Sequence, residues 1–200
     1  AFLYNQLGAN TISMYFLPIN MTFSIVTTYV QCSLIAEEKE KNTLRSLMLS
    51  PASLGDILIG KSLFVLIVTI VSVTMAIFLV GYEPANLFIL AIALLLSAVF
   101  YIALGTICGL FAKSIMEASI IVLPVMVIFS FGPLALALSS AYPILKLAEW
   151  LPSSQLLLLA EALEGKYSMA DVLIPMITII VWSLLSWIFA AIIYKKRMVD

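Results

Sequence analysis

The sequence predicts an all-α fold, a polytopic bundle of membrane-spanning helices. Two observations carry that prediction. Of 200 residues, 64% are hydrophobic and only 10% charged, too few polar side chains to cover a water-soluble globule. The apolar residues also gather into five runs, each close to the roughly 20 residues that cross a bilayer. The absence of histidine removes the commonest general base and metal ligand, and Cys32 and Cys108 sit inside apolar runs. No catalytic residue, metal site or disulfide framework is therefore expected. Nor is a nucleic-acid partner.

Charges delimit the spans, because an ionised side chain at the bilayer centre costs roughly 2.5 to 3.5 kcal/mol. The first span, Tyr15–Ala36, has Asn20, Ser24, Thr28 and Gln31 at helical spacing on one side. Such a stripe avoids lipid, and either lines a passage for substrate or supplies hydrogen bonds between helices. A charged segment follows, in which Glu37 and Lys41 have the favourable i,i+4 order. Leu44, Leu47 and Met48 then share one helical face, until Ser50-Pro51 ends the turn. This is a short amphipathic helix at the membrane surface, suited to lying on headgroups or to docking a partner. The second span is Ser62–Val80, and Gly81-Tyr82-Glu83-Pro84 turns the chain into the third, Asn86–Ala112. There Gly105 and Gly109 form a G-x-x-x-G that lets a neighbouring helix approach closely. A short link, Lys113–Glu117, leads to the fourth span, Ala118–Leu138, which Pro124, Gly132 and Pro133 are expected to bend. The outer segment, 139–171, contains "QLLLLAEAL" between a start at Pro152-Ser153-Ser154 and a stop at Gly165. That is too apolar for a free loop and too short to span, so a re-entrant or interfacial helix is expected, with Trp150 at the interface. The fifth span is Val172–Tyr194, followed by a cationic tail.

Lys39, Lys41, Arg45, Lys61, Lys113, Lys195, Lys196 and Arg197 share one side of this arrangement, and Lys146 and Lys166 the other. The positive-inside rule puts the larger group, and with it the C-terminus, in the cytoplasm. A chain that begins with Ala1, uncharged and outside, implies a further span ahead of it.

"GDILIGKS", Gly55 to Ser62, fits the written pattern of a nucleotide-binding P-loop. Its context does not fit. A P-loop joins a buried strand to a helix and wraps free backbone N–H groups around phosphate. Here Pro51 breaks the upstream run, and Ser53 and Asp56 form an S-x-x-D cap that places Gly55–Gly60 in a helix. Lys61 then anchors the cytoplasmic end of the second span, and the chain is not expected to bind ATP.

The run Glu38-Lys39-Glu40-Lys41-Asn42-Thr43-Leu44-Arg45-Ser46-Leu47-Met48-Leu49-Ser50-Pro51, followed by Gly60-Lys61, resembles the signature of ABC exporter permeases of the drug, antibiotic and polysaccharide export class. In that family it reads approximately E-x-E-x-G-T-L-E-x-L-L-x-S-P, with a glycine-lysine leading into the next span. Asn42 stands where glycine is usual and Arg45 where an acid is usual, but Asn tolerates a left-handed bend. The tight outer turn, the short inner link and "WLPSSQLLLLAEALEG" are also similar to the family's layout.

The resemblance implies that residues 1–200 are a single transmembrane permease domain of a multi-pass protein of the cell membrane, with six spans in the full subunit. It implies an exporter without an ATPase site of its own, paired with a second permease copy or homologue and with separate ATP-binding cassette subunits. ATP and magnesium would belong to those partners, and no cofactor to this chain. Segment 37–55 would be the coupling helix, in which Leu44, Leu47 and Met48 supply apolar contact and Glu38, Glu40 and Arg45 select the partner by charge. Thr43 and Pro51 complete the motif. Segment 139–171 would be the outer lid. Uncharged spans suit a drug, peptide antibiotic or lipid-like cargo. The alternatives are an ion-coupled secondary transporter, against which stands the lack of carboxylates within the spans, and a non-transporting assembly subunit.

Overall fold

A computed structural model of the chain describes residues 11–41, 54–139, 141–165 and 167–197. The first long helix, α1, runs as Thr11–Met21, a π-helical stretch Thr22–Thr27, and Thr28–Glu40. It is followed by α2 (Leu54–Val80), α3 (Leu87–Phe111) and α4 (Ile115–Ala137). A 3-10 helix (Pro143–Trp150), α5 (Pro152–Leu163) and α6 (Met169–Arg197) complete the chain. Among the described residues there is no strand, and five helices, α1 to α4 and α6, are long and apolar enough to cross a membrane. The fold is the expected polytopic helical bundle.

The helices overrun the uncharged stretches that mark them in the sequence. α1 continues past Ala36 to Glu40, and α4 starts at Ile115, ahead of Ala118. The reason is local at α4. Ser114 Oγ accepts from the Glu117 N–H (3.2 Å) while Glu117 Oε2 accepts from the Lys113 N–H (2.7 Å), a reciprocal cap that starts the helix three residues early. At the opposite end of α2, Gly81 stands at φ +67° with its N–H on Phe78 O, and the Tyr82 N–H reaches Ile77 O. This paired closure satisfies the last carbonyls of α2 and turns the chain toward Asn86, whose side chain caps α3 through the Ile89 N–H (3.2 Å). α4 continues through both Pro124 and Pro133.

α1 is the interior helix, with Phe16, Ile19, Phe23, Cys32 and Ala36 all buried. Phe23 in its π-helical stretch stacks on Tyr101 of α3 at 5.3 Å, and Phe129 of α4 meets Tyr101 edge-on at 5.8 Å. By contrast α2 and α6 present exposed apolar faces, with Phe78 and Met75 on the first and Leu184 and Ile188 on the second. In a bilayer, with no water to avoid, such faces meet lipid or a neighbouring chain. α5 is twelve residues long, about 18 Å at the rise of an α-helix, and too short to cross. Leu156, Leu159 and Ala160 nevertheless bury it against the bundle. It folds back into the body, whereas the 3-10 helix before it exposes Ile144, Leu147 and Trp150. The Trp150 carbonyl accepts from Trp182 Nε1 of α6 at 2.8 Å, pinning this outer element.

Candidate functional site

Two groups of polar residues stand out on α1: the stripe inside the helix and its charged end. All four stripe residues are fully buried. Asn20 Nδ2 donates to the Ser153 carbonyl at the start of α5 (3.3 Å), and the Ser24 hydroxyl pairs with that of Ser130 in α4. Thr28 Oγ1 lies 3.4 Å from Phe23 O and 3.5 Å from Tyr101 O. Gln31 Nε2 donates to Thr106 Oγ1 of α3 (3.0 Å) and Ser62 Oγ of α2 (3.2 Å). Thr27, beside the stripe, bonds Thr69 of α2 at 2.9 Å. The four residues are brought together as one seam that ties α1 to α2, α3, α4 and α5. The sequence assigns none of Thr27, Ser62, Thr69, Thr106 and Ser130 to this seam. Ser62 and Thr69, two helical turns apart in an apolar run, carried the same signal as the stripe itself.

Gly105 and Gly109 receive α1. A Cβ on Gly105 would fall 2.7 Å from Thr28 O and from Gln31 Cβ, and one on Gly109 2.9 Å from Cys32 O. The backbones of α1 and α3 are thus in direct contact along the stripe, as the G-x-x-x-G spacing requires.

At the other end of the stripe the last turn of α1 is charged. Glu37 pairs with Lys41, as their spacing predicts, and this hydrogen bond raises the lysine's pKa. Glu38 pairs with Lys61 of α2, which also donates to the Leu34 carbonyl at 2.8 Å. Lys39 Nζ donates to Gly109 O (2.9 Å), Leu110 O and Ala112 O (3.1 Å), the last carbonyls of α3. Glu40 Oε2 accepts from the Ile115 N–H (2.9 Å), at the first turn of α4. Glu38 and Glu40, expected from the resemblance to select a partner by charge, also engage the chain's own helices. Lys39, read only as a topology signal, has a specific position.

Thr43, Leu44, Arg45, Leu47, Met48 and Pro51 lie outside the described residues, as does Ser53 of the predicted cap. Gly55–Gly60 lies within α2, so its backbone is helical and does not form a loop around a phosphate. The Lys61 ammonium that a P-loop would aim at phosphate is held by Glu38 and Leu34. The contacts of Glu38, Lys39 and Glu40 join the end of α1 to α2, α3 and α4.

A family model described as "ABC-2 family transporter protein" matches residues 3–192. No curated protein and no solved structure matches the chain. With nearly its whole length matched and five apolar helices of spanning length, the chain belongs to the ABC-2 family, as a membrane-embedded permease of an ABC transporter.

Proposed function

We propose that the chain is the permease of an exporter that moves an amphipathic or apolar cargo, such as a drug, peptide antibiotic or lipid-like molecule, out of the cell. The family implies an ATP-binding cassette subunit as partner. ATP and magnesium are bound there, and a second copy of the permease or a homologue completes the membrane part. The coupling segment, 37–55, docks into the ATPase through Leu44, Leu47 and Met48, with Thr43, Arg45 and Pro51 shaping the contact. Closure of the ATPase pair pushes on this segment and tilts α1 and α2. The C-terminus of α6 is cytoplasmic by the distribution of lysine and arginine.

One observation carries this reading: the family match covers both the spans and the charged segment that leaves α1 at Lys41 and returns at α2. The hydrogen bonds of Asn20, Ser24, Thr28 and Gln31 favour their role as a seam between helices over that of a passage wall. Leu47→Asp tests the docking. Placing a carboxylate in an apolar contact is expected to abolish co-purification of the ATPase, while the permease still inserts in the membrane. Retained association and retained ATP-driven transport would refute the docking assignment.

A further inference from the structure

Glu38, Lys39 and Glu40 are consecutive, and successive residues of an α-helix point about 100° apart. Each reaches a different helix. Glu38 holds Lys61 of α2, Lys39 holds the C-terminal carbonyls of α3, and Glu40 holds the first N–H of α4. The signs are those the helix ends favour, a cation at a C-terminus and an anion at an N-terminus. Lys39 and Glu40 thereby grip the two sides of the short turn between α3 and α4. How α3 ends matters here. α2 closes on its own glycine, but α3 ends at Ala112 in an extended conformation, and its carbonyls take their cap from another helix. Moving α1 without that turn would strip the cap.

We infer that Glu38, Lys39 and Glu40 are positioning residues that lock the inner ends of α1, α2, α3 and α4 into one body. The segment that starts after Lys41 and rejoins the chain at α2 then displaces all four helices together. A push on it reaches the α3–α4 turn through two side chains rather than through the length of the bundle. Bistable motion of a rigid body, not bending within it, is the consequence. This inference rests on the ATPase-coupling reading for its use in transport, but the lock itself is a property of this chain alone.

Spin labels at Ile59→Cys and Met116→Cys, both exposed positions near the inner ends of α2 and α4, report the distance across the lock. The native thiols, Cys32 and Cys108, are buried. In the permease alone, in lipid nanodiscs, a single narrow distance population is expected. Lys39→Met, which keeps the stem and removes the charge, is expected to lose it, and Glu40→Met, which removes the acceptor of the Ile115 N–H, provides the same test should Lys39→Met fail to fold. Glu38→Lys is expected to broaden the distribution, and Glu38→Lys with Lys61→Glu to restore it, a rescue that a merely space-filling role would not show. Unchanged populations in the single variants would overturn the inference. With the ATPase bound, the wild-type distance is expected to stay constant between nucleotide-free and ATP-bound states, and to change in Lys39→Met. A wild-type distance that changes with nucleotide also overturns it. Failure of the ATPase to associate counts against the coupling reading, and the lock is then decided by the permease alone.

Discussion

Gly60 and Gly105 differ only in what surrounds them, and the difference decides what each is for. Around Gly60 nothing lies within 4 Å of where a Cβ would stand, whereas at Gly105 the backbone oxygen of Thr28 is 2.7 Å away. A backbone atom inside a packed helix cannot yield as a flexible side chain can. Gly105→Ala is therefore expected to lower stability by about 1 to 3 kcal/mol, the range for overpacking a tight contact. Gly60→Ala is expected to be neutral or to gain about 0.5 to 1 kcal/mol, since alanine is the better helix former. Thermal unfolding of the purified permease in detergent checks both. The same Gly60→Ala variant would disable a true P-loop, so an assembled transporter that keeps its ATP turnover confirms the helical role of "GDILIGKS". Gln31 teaches a related lesson. Its polarity is legible in the sequence, but whether it faces a passage or two neighbouring hydroxyls depends on Ser62 and Thr106, residues 31 and 75 positions away.

The elements owe their limits to caps more than to hydropathy. Apolar runs located every spanning helix, because burying a charge in lipid is costly enough to dominate any local preference. The helices run past those apolar stretches where a charged residue belongs to the helix, as with Glu117 inside the first turn of α4 and Glu38 to Glu40 in the last turn of α1. Ser114-x-x-Glu117 was a legible capping pattern, and the Lys39 cap of α3 was not, since its partners are 70 to 73 residues distant. The end of α2 is closed by Gly81 at φ +67° with open space around it. Alanine there meets backbone strain alone, so Gly81→Ala is expected to cost about 1 to 2 kcal/mol. Gly81→Asn should cost less, because asparagine tolerates the left-handed region. The ranking glycine, asparagine, alanine in unfolding temperature is the measurement.

For the whole molecule, the buried stripe of α1 and the exposed apolar faces of α2 and α6 divide the bundle into a polar-seamed interior and an apolar periphery. The expected orientation rests on the distribution of lysine and arginine. The lock of Glu38, Lys39, Glu40 and Lys61 stands at the end expected to be cytoplasmic, and the 3-10 helix with Leu147 at the opposite end. A cysteine at Leu147, an exposed position, is expected to react with a membrane-impermeant thiol reagent in intact cells. One at Met116 should react only after permeabilisation. The reverse pattern would invert the topology and remove the docking segment from the ATPase.

Composition and the spacing of charges were enough to determine the solvent of this protein, the number of its apolar helices and the short helix that folds back between the last two. Those features come from transfer free energies that each residue carries wherever it sits. Tertiary structure alone decided which polar side chains meet. The seam of Asn20, Ser24, Thr28 and Gln31 and the three-way grip of Glu38, Lys39 and Glu40 join residues far apart in the chain. A hydrogen bond needs its partner within about 3 Å, and no local pattern supplies that distance.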